Sequence, residues 1–465
     1  SYCNPALAKT GCIVDANDDH YAILLDYVDI GTNQNKIYFL TLDKASSNPN
    51  AGKTILTAGF TGDIDFSIGT AISTFNQTNS DYFVIAKSYS LDDDEEDSIE
   101  LSINQNASAA AIITNNLMMD MLNGDGPDIL INTGNYSQFN SDEYLMDLSS
   151  FIDEEFSDGI LFDNVIEASK TNGKLYQLPT TFLVNGIILD AKNSNGNVGF
   201  TFDEYNTYVS DTCNGSNPIA PDGGRLDAFN ALYPIMSELM YDEDGNVDFE
   251  NGVFEQIATY CLENIGQKPS GFVAPSGVQD GMTLKLNSFV QVSNILPYLL
   301  ANPMLHDVTL VGIPSVDGRG LSFTANSSVA ISVSCCDEEG AKAFVKSLLT
   351  NEKNYDQAFE NPILVSAATD LSLKIIKYYN EIYDINLEHA SSVADLNSLG
   401  IYRYDPALVD NYIAILKTVN CSTSADMNIL VIIDEEIQAY FAGQKSINDV
   451  ISIIQSRAQT VVDER

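Results

Sequence analysis

Tryptophan is absent from the 465 residues, and histidine appears three times, as His20, His306 and His389. None of the three stands in an H-E-x-x-H or comparable ligand spacing, so no zinc site of that kind is expected. Basic residues are scarce: 22 Lys and Arg face 65 Asp and Glu, a net charge of −43. Such a surface repels phosphate, which disfavours nucleic acid and anionic lipid as partners. No apolar run reaches the roughly 18 residues that a bilayer-spanning helix needs. The seven cysteines, Cys3, Cys12, Cys213, Cys261, Cys335, Cys336 and Cys421, contain no C-x-x-C. That pattern speaks against a zinc site or a disulfide framework. A Cys3–Cys12 pair and a set of idle thiols both remain open, and the missing spacing favours the thiols. A G-x-S-x-G nucleophile elbow is missing too. Gly52-Lys53-Thr54 imitates the end of a phosphate loop, but Ser47 stands where that loop needs glycine, and Thr54 opens a strand.

What is present points to a globular chain. At 45% hydrophobic and 19% charged residues it can build two or three domains with real cores. Residues 1–50 are β-rich, with Tyr21–Tyr27 and Lys36–Leu42 reading as strands of a hairpin-like piece. Ala45–Gly52 reads as a linker. From Lys53 the pattern alternates. Thr54–Gly59 is a strand, and Ile68, Ile72 and Phe75 lie on one helix face. Tyr82–Lys87 is a strand, Ala109–Leu122 a helix, and Asp128–Ile131 a short buried strand. This spacing predicts βαβ units and a mainly parallel sheet. The acidic run Leu91–Glu100 reads as a solvated loop. Asp244-Gly245 reads as a turn, since the spacing around it does not fit a calcium loop. Thr201 to Glu204 forms a capping box. Val308–Ile313 and Ser327–Ser334 read as strands, with Cys335 and Cys336 as core and strand end. Ala341–Leu349 is helical, and two helices close the chain, one ended by Gly443 and the next capped by Ser446 and Asp449. With so many carboxylates a hydrolytic pair is not excluded, but nothing singles one out.

The stretch 115–152 carries a resemblance. A helix runs into Gly124-Asp125-Gly126-Pro127-Asp128, then a strand, a polar loop with Tyr136, and Leu145-Met146-Asp147-Leu148. This resembles the carbohydrate-type extracellular solute-binding proteins, family 1, of ATP-driven (ABC) importers. Further matches follow in the family's order. Gly173–Pro179 resembles its G-K-x-Y-G-x-P, with Gln177 in place of glycine. Thr201–Tyr205 resembles T-W-D-E-Y, with Phe202 for tryptophan. Gly312-Ile313-Pro314 with Asp317-Gly318, Ala341–Leu349 with Lys342 in a tryptophan place, and Tyr440–Gly443 complete the set. The resemblance covers about 53–465. Residues 1–50 lie outside it, and their two strands resemble the last piece of a β-propeller blade.

The resemblance implies an α/β, two-lobed periplasmic-binding-protein-like fold (type II) with an interlobe cleft. The expected lobes are 53–183 plus 328–360, and 187–325 plus 362–465. Leu178–Leu189, Leu321–Ile331 and Asn361–Val365 are the expected crossings. Loop positions at strand ends then nominate ligand-binding residues. These are Phe60, Thr61, Asp63, Asn135, Tyr136, Thr180, Thr181, Phe182, Asn287, Phe289, Phe323 and Thr324. Aspartate, asparagine and threonine suit a hydroxyl-rich solute, and Tyr136, Phe182, Phe289 or Phe323 would supply the stacking face. The implied role is non-enzymatic capture of a small polar solute, a mono- or oligosaccharide, for the importer's membrane subunits. No cofactor, metal or nucleic acid is expected. The implied state is a monomer at the cell surface or in the periplasm, held to a membrane only through a lipid anchor upstream of Ser1. The competing readings are an extracellular carbohydrate hydrolase and a surface adhesion or scaffold module.

Overall fold

A computed structural model describes the chain except residues 1–3, 7–10, 18, 30–33, 92–102, 195, 214, 216, 218, 220–223, 243, 267–287, 293–307, 356–357, 359, 391 and 400. The N-terminal piece is a sheet of three antiparallel strands rather than a hairpin of two: β1 (Cys12–Asn17), β2 (His20–Asp29) and β3 (Gln34–Asp43), in that order. Its first strand, CIVDAN, is short and bulged between Ile13 and Asp15, so it carries little alternation to read. Cys12 is a free thiol. Upstream of this sheet, the Asn4 amide donates to the Thr70 hydroxyl at 3.0 Å, docking the chain start on the first long helix.

The expected alternation follows. It comprises β4 (Thr54–Thr61), α1 (Phe66–Thr78), β5 (Tyr82–Tyr89), α2 (Ile103–Asn123) and β6 (Ile129–Ile131). β4 runs parallel to both β5 and β6. Leu56 and Ala58 on β4 are fully buried against the Ile68, Ile72 and Phe75 face of α1. Phe75 meets Phe344 edge to face at 5.4 Å. Burying one such phenylalanine is worth about 2–3 kcal/mol. Residues 92–100 of the acidic run lie outside the described residues.

Two short helices, α3 (Ser149–Glu155) and α4 (Asp163–Ala168), lead into the long strand β7 (Leu178–Asp190). Next come α5 (Phe202–Thr212), α6 (Arg225–Met236), α7 (Val253–Asn264), β8 (Ser288–Val292) and β9 (Val308–Val311). The capping box of α5 is formed, with the Thr201 N–H donating to the Glu204 carboxylate at 2.8 Å. β10 (Ser322–Ile331) then returns, followed by α8 (Glu338–Thr350), β11 (Asn361–Pro362), α9 (Val365–Leu387), α10 (Val393–Ser398) and α11 (Leu408–Leu416). β12 (Cys421–Ser422), α12 (Met427–Phe441) and α13 (Ile447–Asp463) end the chain. The main sheet has the order β11-β7-β10-β6-β4-β5, with β12 on β10 and both β8 and β9 on β7; all pairings of β7 and that of β10 with β6 are antiparallel, so the sheet is mixed and not mainly parallel as the βαβ spacing predicted. Cys335 is half-buried and Cys336 exposed, beyond the end of β10.

Two large cores flank this sheet. The first gathers Leu56, Phe75, Phe182, Phe323, Phe344 and Tyr412. The second gathers Tyr205, Phe229, Phe254, Ile433 and Ile454. A small third core joins Leu117, Leu130, Phe139 and Leu145. The period-2 alternation of β7 serves both large cores. Leu178, Phe182 and Val184 face the first, while Ile187 and Leu189 face the second. Ile188 and Leu310 still reach the first core while Val311 and Ile313 face the second; from Leu321 the chain packs mainly on the first core, and its last residue there is Val419.

In Asn361–Val365, the expected third crossing, Ile363 and Leu364 pack in the first core. Ile376, Tyr404, Val409, Tyr412 and Leu416 pack there as well, so 363–419 sides with the first core and not the second. The packing passes from the first core at Val419 to the second at Cys421, and between them the Asn420 N–H donates to the Leu321 carbonyl at 2.9 Å. At the first crossing, Gly186 allows a close approach: a Cβ there would lie 2.5 Å from Leu321 Cδ2 and 2.8 Å from the Val311 carbonyl oxygen.

Candidate functional site

The loops after β4 and β6 leave the same end of the sheet and are stitched together. The Thr61 hydroxyl donates to the Asn132 carbonyl at 2.8 Å, and the Asn132 amide donates to the Asp63 carbonyl at 2.9 Å. Asn132 holds φ at +62°, a left-handed conformation that asparagine tolerates better than most residues. The Tyr136 hydroxyl hydrogen-bonds Thr61, and burial pushes its pKa upward, so it remains a neutral phenol at neutral pH. Thr61, Asp63 and Tyr136 are therefore brought together, through an asparagine that sequence reasoning missed. The signal was the run Ile131-Asn132-Thr133-Gly134, where polar turn residues abruptly end a buried strand.

This rim touches the second core's side of the molecule. Tyr136 packs partly against the second core and partly against the third. It forms an isolated parallel bridge with Ala425, whose N–H donates to the Asn135 carbonyl at 3.1 Å. The Asn135 side chain itself is scaffold. Its amide donates to the Ala325 carbonyl at 2.7 Å and its oxygen accepts the Ala325 N–H at 3.0 Å. It stands in for a strand residue in the gap between β12 and β6 along β10.

The other nominated residues divide. Phe182 and Phe323 are 0% and 2% exposed, and their rings meet edge to face at 5.9 Å inside the first core. They present no stacking face: Phe182 is on the inward, even-numbered face of β7, and Phe323 on β10, paired with Val184, points into the same core. Phe60 is half-buried against the same core. Thr180 and Thr181 are fully buried, and neither hydroxyl finds a partner. Thr181 stands opposite Ser327, whose hydroxyl is unpartnered too. The Thr324 hydroxyl accepts from the Asn185 amide at 3.0 Å, and Asn185 also donates to Thr423 at 3.2 Å. A polar seam thus runs along the odd face of β7 where the chain passes between cores. Asn287 lies outside the described residues; Phe289 pairs with Ile187 in β8, and its side chain lies outside them too.

Sequence reasoning also missed Asp65. Its Oδ1 caps α1 by accepting the Ile68 N–H at 2.7 Å, while Oδ2 is closed off and unpartnered. Burial pushes its carboxyl up to about 6, with Glu360 adding to the rise and the Ile68 N–H opposing it. The second carboxyl pushed up to about 6 is Asp434, on α12 in the second core's helices. The two sit in different halves of the molecule and form no acid–base pair. Among the described residues no group of His, Cys, Asp and Glu could hold a metal ion, and no helix is long and apolar enough to cross a membrane. His20 pairs with Asp43 at 2.6 Å on the N-terminal sheet, far along the chain from this rim.

The mixed sheet with helices packed around it is an α/β fold that solved structures share. It is shared with the sugar-binding protein MalE from Xanthomonas citri: 12% identity, 89% of this chain and 98% of that one covered, TM-score 0.52. An ABC substrate-binding protein from Listeria monocytogenes, solved with cycloalternan, is similar over 88% of this chain and 99% of its own at 14% identity and a TM-score of 0.47. A solute-binding protein from Thermotoga lettingae, bound with alpha-D-tagatose, shows 12% identity, coverage of 88% and 100%, and a TM-score of 0.48. No family model matches the sequence, and no curated protein does.

Proposed function

We propose that the chain is the solute receptor of an ATP-driven importer, taking a small saccharide into the cleft between its lobes without transforming it. The observation that carries this reading is the rim of Thr61, Asp63, Asn132 and Tyr136, set against Ala425 from the other side of the crossing strands. A threonine hydroxyl, amide and carboxylate groups and one half-buried phenol are what orient a hydroxyl-rich ligand in a largely preformed pocket. Among the nominated aromatics whose side chains are described, Tyr136 is the one whose placement at the rim supports a stacking role.

A lobe division of 53–184 with 321–419, and 187–313 with 421–465, follows most of the packing, although Ile188 and Leu310 reach the first core and Ala111 the second. Closure would turn about the crossings near Gly186, 313–321 and 419–421, and a ligand favours the closed state only by its differential affinity. Membrane subunits would read that state. A position outside the cell, a monomeric state and a lipid anchor upstream of Ser1 belong to the same reading. The −43 charge suits an anchor that is covalent rather than a basic patch. A glycan panel tested by melting temperature checks it. A ligand at 100 times its Kd adds about 2.7 kcal/mol of stability. A shift with peptides and none with any sugar would remove the saccharide clause, and release of reducing ends would replace the receptor with a hydrolase.

A further inference from the structure

We infer that Asn326 is a further solute-binding residue, its amide holding hydroxyls of the sugar where the rim meets the polar seam of β7; this rests on the receptor reading above. Asn326 lies on β10, in the stretch to which the rim loop is fastened. On one side of it, the Asn135 side chain accepts the Ala325 N–H at 3.0 Å and donates to the Ala325 carbonyl at 2.7 Å. On the other side, the Ser328 hydroxyl accepts the Gly134 N–H at 2.7 Å, and the Ser328 carbonyl accepts the Asn132 N–H at 3.0 Å. The loop that carries Tyr136 therefore grips β10 both before and after Asn326.

The ladder is irregular at the same point. Pairing of β10 with β7 runs from Ser322 opposite Asn185 to Ala325 opposite Phe182, and continues at Ser328 opposite Pro179. Between them Ser327 faces Thr181, and Asn326 has no partner on β7. An unpaired residue of this kind bends its strand and re-aims a side chain, a device common beside binding sites. Alternation up to the irregularity puts Phe323 and Ala325 in the first core, and Thr324 and Asn326 on the opposite face. That face carries the polar seam, in which the Asn185 amide donates to Thr324 and Thr423 at 3.0 and 3.2 Å. The unpartnered hydroxyls of Thr181 and Ser327 adjoin it.

Asn326 differs from the other amides here. Asn135 is spent on Ala325, and Asn185 donates within the seam. Asn326 is half-buried, so solvent reaches it, and among the described residues no hydrogen bond engages its side chain. Its amide offers two donors and an acceptor, which suits sugar hydroxyls that both donate and accept.

The test is calorimetric titration of the full chain with maltotriose, cellotriose, a β-1,4-linked glucosamine trisaccharide and trigalacturonate. It is run on the wild type, Asn326→Ala and Asn326→Leu. Leucine keeps the volume and removes the hydrogen bonds, so it separates the amide from its shape. Urea unfolding of the same proteins reads out a purely structural role. The expected result is a loss of about tenfold in affinity in both variants for whichever trisaccharide the wild type binds, with the unfolding midpoint unchanged. Affinity within about twofold of wild type in Asn326→Ala would overturn the inference and leave the saccharide receptor standing. A loss that appears only together with a lowered unfolding midpoint would overturn it as well. Wild-type protein that binds none of the four would overturn the inference together with the saccharide reading.

Discussion

Replacing Asp434 by asparagine should stabilise the protein at neutral pH. Asp434 lies on α12 and is 4% exposed, and neither carboxylate oxygen has a hydrogen-bond partner. Burial pushes its pKa from an ordinary 3.8 up to about 6, with the Asn230 side chain pulling weakly the other way. Because the folded value exceeds the unfolded one, the unfolded chain holds the charge more easily. Above pH 6 both states are ionised, and the folded state bears the full desolvation penalty. As pH falls from 6 toward 4 the folded state takes up the proton, and the penalty disappears. The gap between 3.8 and about 6 corresponds to about 3 kcal/mol. Asp434→Asn should therefore raise the stability read from urea unfolding by up to about 3 kcal/mol at pH 7.5, with almost no gain at pH 4. Comparing variant with wild type at each pH cancels the titration of the other carboxylates. A variant no more stable than wild type at pH 7.5, or equally stabilised at both pH values, would refute the reasoning.

Gly186→Ala places a methyl against a backbone carbonyl that cannot yield, so a loss of about 1–3 kcal/mol is expected from urea unfolding, and a loss near zero would show that the crossing is loose. Asn135→Ala strips both hydrogen bonds from Ala325, a buried residue, and should cost about 1–3 kcal/mol by thermal or urea unfolding. Tyr136→Phe removes a hydroxyl bound to Thr61; stability should change by no more than about 1 kcal/mol, while solute affinity measured by calorimetry should fall severalfold. Removing residues 1–50 gives up the Asn4 contact with α1 but none of the two large cores, so cooperative unfolding and solute binding should survive.

The sheet and its helices were legible because their signals are local. Ile68, Ile72 and Phe75 mark a helix face by spacing alone, and Thr201 with Glu204 marks its own cap. The core to which the segments after β10 belong was not legible, because nothing in Asn361–Val365 or 419–421 differs in pattern; only packing decides that Ile363 joins the first core and Cys421 the second. The same limit applied to the aromatics. Phe182 and Tyr136 both follow strand or turn signals, but which way a side chain points depends on register, and register put Phe182 inside and Tyr136 at the rim. Asn135 was recognisable as a polar loop residue, yet its use as a substitute strand rung depends on Ala325, 190 positions away. Asp65 carried a signal that passed unused: an aspartate before a helix face is a cap, and its second oxygen becomes informative only once burial is known.

The most direct measurement is calorimetric titration of the full chain with a panel of neutral, amino and acidic di- and trisaccharides at pH 7.5, repeated with Tyr136→Phe. A saccharide receptor should show saturable one-to-one binding of at least one member, with lower affinity in Tyr136→Phe and the ligand recovered unchanged. The absence of binding across the whole panel, or recovery of cleaved sugar, would contradict it.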